Sequence, residues 1–466
     1  MPWKSFINRF YSASAKRNET FYSSLPNKKY HFYFVVSNRI CTFAAKSKYM
    51  EKELFRAIIA ENQEYIGRIP LVQRPIDIEE YGNYVFVGVR QAGKSYLLYQ
   101  RIQQLLANGV EIENIVYINF DDERLQGMSV TDFDLILQAY HSMYDSQPIF
   151  FFDEIQNVEG WANFARRIAN QKYHIYITGS NAKMLSRDIE TVLGGRYLDI
   201  SVFPYSFSEY LKAVGVLLSK NWQYGRKANE LQRHFRTYFD WGGFPELVHF
   251  QEKRVWLNSL YNRIFFNDLV VRHKVKNEDA LRLCVRRLAE SVKQPCSLNR
   301  LSNLIKATGT SCSPSTVMEY VRYLHESCLL ISIDNYVSKF VDKETIKKHY
   351  FVDNGLLHLF INNPNTSLLE NLCAITMYKK YGKGLYYYNK NIEVDFYVPD
   401  EGLAVQASYQ MSDGETIERE VKALVALHGL YPLNRAMIIT YEDEGEIVRD
   451  GLKIGIRPAW KWVLEG

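Results

Sequence analysis

Eight consecutive residues, Gly88-Val89-Arg90-Gln91-Ala92-Gly93-Lys94-Ser95, carry the densest chemistry in the chain. Their spacing is G-x-x-x-x-G-K-[ST], a loop whose backbone N–H groups turn inward on nucleotide phosphates. Lys94 then reaches the β- and γ-phosphates, and the Ser95 hydroxyl ligates Mg2+. Tyr96 continues into a helix whose amino end adds positive potential. A second chemical pair, Asp153-Glu154, closes the apolar run Pro148-Ile-Phe-Phe-Phe152. Asp153 suits a Mg2+ held through water, and Glu154 suits activation of an attacking water. The two elements together imply a site for ATP and Mg2+, with hydrolysis as its chemistry or, alternatively, with nucleotide occupancy as a signal in a regulatory protein of negligible turnover.

Two further positions extend that site. Ile175-Tyr-Ile-Thr178 reads as a buried strand ending in Gly179-Ser180-Asn181, where Ser180 and Asn181 can touch the γ-phosphate or orient the water. The plain alternative is a strand-to-helix turn in which Ser or Asn caps the next helix. Gly194-Gly195-Arg196 precedes another strand, and Arg196 is a candidate arginine finger for transition-state charge. The plain alternative there is a solvated arginine at a strand start.

These residues need elements to hold them. Strand patterns at 84–87, 115–120, 149–152, 175–178 and 197–201 alternate with helical ones, which predicts an α/β parallel sheet with helices on both faces. At 466 residues the chain is too long for one core, and two to four domains are expected. A helix and a linker closed by Pro70 and Pro75 fill 50–80, an ATP-binding core fills 81–205, and a helical lid fills 206–290. A helix-turn-helix pattern fills 291–345, with Leu298, Leu301, Leu304 and Ile305 on one helix, a break at Gly309, and a second helix opened by Ser313-Pro314. That module is read with equal weight as a DNA reader and as a protein-packing spacer.

Residues 346–466 show a third pattern, a helix carrying Glu370 and then strands carrying Asp395 and Val405-Gln406-Ala-Ser408. A metal-dependent nuclease of the PD-(D/E)xK type needs acid-x-lysine on the latter strand. Gln406 stands in the acid's place and Ser408 in the lysine's, so the pattern predicts a restriction-endonuclease-like α/β domain with doubtful catalysis.

Composition bounds the rest. Apolar residues make up 47% of the chain, which excludes disorder as the general state. No apolar stretch approaches a membrane span. Six cysteines without C-x-x-C or metal spacing fit reduced thiols in a cytoplasmic protein. The net charge of +5 is concentrated in residues 1–49, where nine Lys or Arg face the single acid Glu19. The remaining chain is slightly acidic, so any contact with nucleic acid needs a local patch. Residues 1–49 form a poorly patterned basic leader, read as a non-native start ahead of Met50 or, alternatively, as a targeting segment.

In order, the chain carries the P-loop, Asp-Glu, Thr-Gly-Ser, Gly-Gly-Arg, Phe203-Pro-Tyr-Ser-Phe-Ser-Glu-Tyr210, Gly242-Gly-Phe-Pro-Glu246, the helix-turn-helix and Glu393-Val-Asp-Phe396. This series resembles a large prokaryotic family of AAA-like ATPases that end in an uncharacterised nuclease-like domain. The resemblance covers residues from about 50 to about 445. It implies a P-loop NTPase sheet with a helical lid, a winged helix-turn-helix and the nuclease-like end, and Ser180 and Asn181 then occupy the sensor position. It leaves DNA, a protein partner or a second copy of the chain as partners besides ATP, and no membrane.

Overall fold

Strands that must be buried on both faces read as unbroken apolar runs, and Ile149-Phe-Phe-Phe152 is such a run. In the computed structural model it lies in the middle of a parallel sheet. The structure describes residues 33–36, 39–42, 50–79, 82–185, 191–411 and 414–465. The chain divides into two units, Met1–Tyr49 and Met50–Gly466. In the first, β1 (Tyr33–Val36) and β2 (Arg39–Thr42) pair antiparallel with Tyr33 opposite Thr42. The remainder of the expected basic leader lies outside the described residues.

The second unit opens with α1 (Lys52–Tyr65). Then β3 (Asn83–Val87), α2 (Lys94–Ala107), β4 (Ile115–Asn119), α3 (Phe133–His141), β5 (Ile149–Asp153), α4 (Trp161–Asn170), β6 (His174–Gly179) and β7 (Tyr197–Ser201) follow in strict alternation up to the last strand. The five strands form one parallel sheet in the order β4-β5-β6-β3-β7. Successive side chains of β5 enter opposite cores. Phe151 packs with Tyr84 and Tyr176 on one face, and Phe150 and Phe152 pack with Phe133 and Phe164 on the other. Each buried aromatic side chain contributes on the order of 2–3 kcal/mol, so the apolar run fixes both layers.

Beyond the sheet, helices α5 (Phe207–Ala213), α6 (Gly225–Trp241) and α7 (Lys253–Arg263) form the expected helical region, and α7 runs on into a π-helical stretch, Ile264–Val271. Helix α8 (Glu278–Glu290) packs on α9 (Leu298–Lys306) and α10 (Pro314–Glu326). The three-helix group therefore begins at 278, inside the segment expected to be lid. Ser313 caps α10 by accepting from Thr316 N, with Pro314 in the first turn. The strands β8 (Cys296–Ser297), β9 (Leu330–Asn335) and β10 (Ile346–Phe351) complete the group as a small antiparallel sheet. A boundary after residue 345 would cut the β9–β10 hairpin, because the buried faces of Ile331, Ile333 and Tyr350 belong to one core.

That small sheet does not stop at β9. With α11 (Asn365–Tyr381), β11 (Tyr386–Asn389), β12 (Glu393–Val398), β13 (Leu403–Ala407), α12 (Gly414–Leu430) and β14 (Arg435–Thr440), the C-terminal segment follows the expected pattern closely. It then adds β15 (Gly445–Arg449), β16 (Leu452–Pro458) and α13 (Ala459–Glu465). All join one nine-stranded sheet, β15-β16-β14-β13-β12-β11-β9-β10-β8, through the parallel pair β11–β9. The helix-turn-helix group and the C-terminal segment thus share a continuous hydrogen-bonded frame. Among the described residues no helix is long and apolar enough to cross a membrane.

Candidate functional site

Register brings the chemistry together. Val87 pairs with Gly179 and Phe152 with Ile177, so the carboxyl ends of β3, β6 and β5 open at one level. The loop 88–95 leaves β3 there. Gly88 passes so close to the Val202 carbonyl that a β-carbon would sit 2.0 Å from its oxygen, which only glycine avoids. Gly93 takes φ 93° and ends the loop against the first turn of α2. From outside, Arg74, its side chain 8% exposed, braces the turn, donating to the Ala92 carbonyl at 3.2 Å, the Phe203 carbonyl at 3.0 Å and Glu209 at 2.8 Å. Gln91, at φ 62°, donates to Glu246 at 3.4 Å, so the Gly242–Glu246 turn abuts the loop.

Lys94 opens α2 and is almost wholly buried. Its ammonium donates to the Val89 carbonyl and pairs with Glu154, each at 3.3 Å. Glu154 is held in the left-handed region at φ 52°, ψ 41°, a conformation that costs a non-glycine residue on the order of 1–3 kcal/mol. Its N–H donates to Thr178 Oγ1 at 3.0 Å, which ties the turn after β5 to the end of β6. Burial works against the Glu154 charge, but Lys94, the amide of Gln156 and Arg90 outweigh it and hold the carboxyl down to about 2.

Asp153 is the opposite case. It is buried and accepts from Tyr117 at 2.8 Å, from Thr178 and from Ser95. Burial and the neighbouring Glu154 charge push its carboxyl up, against those hydrogen bonds. A hydroxyl and a carboxylate already in mutual contact are the hard oxygen donors that Mg2+ takes alongside phosphate oxygens. Ser95 and Asp153 therefore fit the ion expected of them.

Ser180 is also buried at this level, accepting from Gln156 Nε2 at 3.3 Å. Asn181 turns instead to its own chain, accepting from Lys183 N at 2.9 Å, which is the capping role. Val89, Ala92 and Tyr96 contribute backbone, and the Tyr96 ring is half exposed. Arg196 is not brought to the cluster, so its expected role in this chain's own site is corrected. It precedes β7, its carbonyl accepts from Asn83 at the start of β3, and its guanidinium donates to Asn170. In a parallel sheet that is the amino end, a strand's length from the phosphate loop.

No sequence motif announces several of the contacts here. Thr178 and Tyr117 hold Asp153. Gln156 donates to Glu154 Oε2 at 2.5 Å, while its own Oε1 is buried without a hydrogen-bond partner. Arg90 grips Asp268 of the π-helical stretch with two hydrogen bonds, at 3.0 and 3.1 Å, and Arg272 donates to the same carboxylate at 2.8 Å. Arg272 also reaches the Ser180 carbonyl at 3.5 Å. The phosphate loop, the end of β6 and the helical region thus share one charge network. π-Helical turns interrupt helices mostly where function requires it, and the sequence signal for this one was only a run of apolar residues.

Residues 81–211 match a family described as an AAA domain, and residues 232–367 match a domain of unknown function, DUF8612. The Methanocaldococcus jannaschii protein named "Uncharacterized protein MJ1544" is 31% identical over 432 residues, 89% of this chain and 96% of that protein. A Haemophilus influenzae protein is 29% identical, covering 79% of this chain and 92% of its own length. Among solved structures, the Walker-type ATPase PABY2304 of Pyrococcus abyssi is similar at a TM-score of 0.35 and 12% identity, covering 68% of this chain and 97% of that one. The Orc1 protein of Aeropyrum pernix, solved with DNA, is similar at 0.30 and 15%, covering 70% and 94%. The chain carries a P-loop AAA-type core and belongs to the family of the M. jannaschii protein.

Proposed function

We propose that the chain binds ATP with Mg2+, hydrolyses it, and uses the cycle to act on its helical and C-terminal parts. The observation that carries this reading is the meeting of Lys94, Ser95, Asp153 and Glu154 at one level of the sheet, with β6 lying between the strands that bring them. ATP would enter with its phosphates along the loop, and Lys94 would leave Glu154 for them. Glu154, released, is the base for the attacking water. Gln156, with an unpaired acceptor beside Glu154 and Ser180, would hold that water in line. The ion on Ser95 and Asp153 would neutralise charge on the transferred phosphoryl group.

The network Arg90–Asp268–Arg272 offers the route outward, because any charge arriving at the loop must re-divide it. The order α8-β8-α9-α10-β9-β10, three helices with a small antiparallel sheet, supports a winged-helix reading of 278–351. Helix α10 leaves Ser315, Met318, Glu319 and Arg322 exposed, a face that brings one cation. That face is suited to modest contact with DNA or to a protein surface. The test is phosphate release by the full chain with Mg2+, with and without duplex and single-stranded DNA. Mg2+-dependent release supports the reading, stimulation by DNA identifies the partner, and absence of release in all mixtures rejects hydrolysis.

A further inference from the structure

The sequence pattern at β12 and β13 lacks the lysine of a metal-dependent nuclease, yet the structure has a lysine at that centre. Lys348 comes from β10, a strand of the preceding hairpin, and is completely buried. Its ammonium stands 2.9 Å from Asp395 Oδ1, 3.2 Å from Glu370 Oε1 and 3.2 Å from Glu393 Oε1. An ammonium has three donors, and three carboxylates receive it. The Tyr387 ring lies below at 5.7 Å. Burial disfavours the charge on Lys348, and the surrounding carboxylates more than restore it, so the ammonium stays protonated.

Several of the other donors a metal would need are already engaged. Asp395 Oδ2 accepts from Ala407 N at 3.1 Å, and Glu370 Oε1 also accepts from the Tyr350 hydroxyl at 2.9 Å. Gln406, in the place of the second acid, is bonded at both ends of its amide. Its Oε1 accepts from Asp395 N at 2.7 Å and its Nε2 donates to the Glu393 carbonyl at 3.1 Å. Ser408 donates to the Gln410 carbonyl at 3.3 Å. Mg2+ demands near-octahedral oxygen at about 2.0–2.1 Å, and an ammonium fixed among the same oxygens repels it. Among the described residues no group of three or more His, Cys, Asp or Glu is arranged to hold a metal ion.

We infer that Lys348 is a resident cation: its ammonium takes the place of the divalent ion that the nuclease-like frame would otherwise gather between Glu370, Glu393 and Asp395. The C-terminal centre thereby holds its own cation without metal and does not perform metal-dependent phosphodiester cleavage. This stands apart from the ATP reading, since it uses none of the same residues.

The test is thermal unfolding of the nucleotide-free full chain in EDTA and in millimolar MnCl2. Wild-type Tm is expected to be equal in the two, or to respond only through Ser95 and Asp153, in which case Asp395→Asn leaves the response intact. Lys348→Met is expected to melt several degrees lower in EDTA and to recover in Mn2+, with the recovery lost when Asp395→Asn is added. A wild-type rise in Mn2+ that disappears in Asp395→Asn overturns the inference. So does a folded Lys348→Met whose Tm ignores Mn2+. If Lys348→Met yields no folded protein, the triple variant Lys348→Met, Glu370→Gln, Asp395→Asn is expected to fold, because the excess charge is gone. Its failure would make Lys348 a packing residue and defeat the inference. ATP turnover in the same variants is expected to be unchanged, which separates this outcome from failure of the ATP site.

Discussion

Replacing Glu154 by Gln should tighten ATP binding while it stops hydrolysis. In the structure Lys94 is committed, its ammonium 3.3 Å from Glu154 and 3.3 Å from the Val89 carbonyl. ATP must take that ammonium, and doing so breaks a charge-assisted contact in a nearly water-free place. A hydrogen bond between charged groups is worth about 1.5–3 kcal/mol. Part of this is regained in the wild type, because Glu154 keeps the Gln156 amide at 2.5 Å and the Arg90 field. A net gain of about 1.4 kcal/mol for the variant is reasonable, which corresponds to about tenfold in Kd. Glutamine preserves the side-chain shape and an acceptor for Gln156, so the strained turn at φ 52° has no new reason to move. Titration of a fluorescent ATP analogue into both proteins, with Mg2+, reads the difference directly. Unchanged or weaker binding by Glu154→Gln would refute the claim that Lys94 is drawn away from Glu154 by the nucleotide.

Other consequences can be measured in parallel. Gln156→Ala removes the amide that spans Glu154 and Ser180, and turnover should fall about ten- to a hundredfold with little change in Kd, the mark of a lost positioning group. Asp268→Asn leaves two arginines without their shared charge, and should lower stability by about 3 kcal/mol, seen as a fall of several degrees in Tm. His349 is buried against Ser332 at 2.6 Å, and burial with His325 and Lys347 nearby holds its ring down to about 3. The unfolded ring takes its proton near 6.5, so stability is complete above that pH and is lost as pH falls from about 6.5 toward 3, by about 1.4 kcal/mol per unit. Urea unfolding of wild type and His349→Phe between pH 7 and pH 5 should differ by this slope, the wild type losing more stability as pH falls.

The ATP-binding core was legible because its signals are local. A strand, an eight-residue loop and a helix stand side by side in sequence, and a run of phenylalanines closes on Asp153-Glu154. What escaped was pairing between distant segments. Nothing near Arg90 announces Asp268, and nothing near Asp395 announces Lys348. The cation was sought two residues beyond Gln406 on the same strand, whereas the fold delivers it from a hairpin of the preceding module. Arg196 shows the complementary case. A residue before a parallel strand lies at the sheet's amino end, and the loop that follows β3 lies at the carboxyl end, so topology alone separates them. The last two strands were missed although Leu452-Lys-Ile-Gly-Ile-Arg-Pro458 alternates buried and exposed residues as a half-buried strand should.

Single-turnover hydrolysis at saturating ATP and Mg2+ bears most directly on the proposed chemistry, because it separates the chemical step from binding and release. Wild-type protein should cleave its bound ATP, and Glu154→Gln should retain bound ATP while cleaving it on the order of a hundredfold or more slowly. Equal rates in the two proteins would contradict the assignment of Glu154, and no cleavage by the wild type would contradict the ATPase itself.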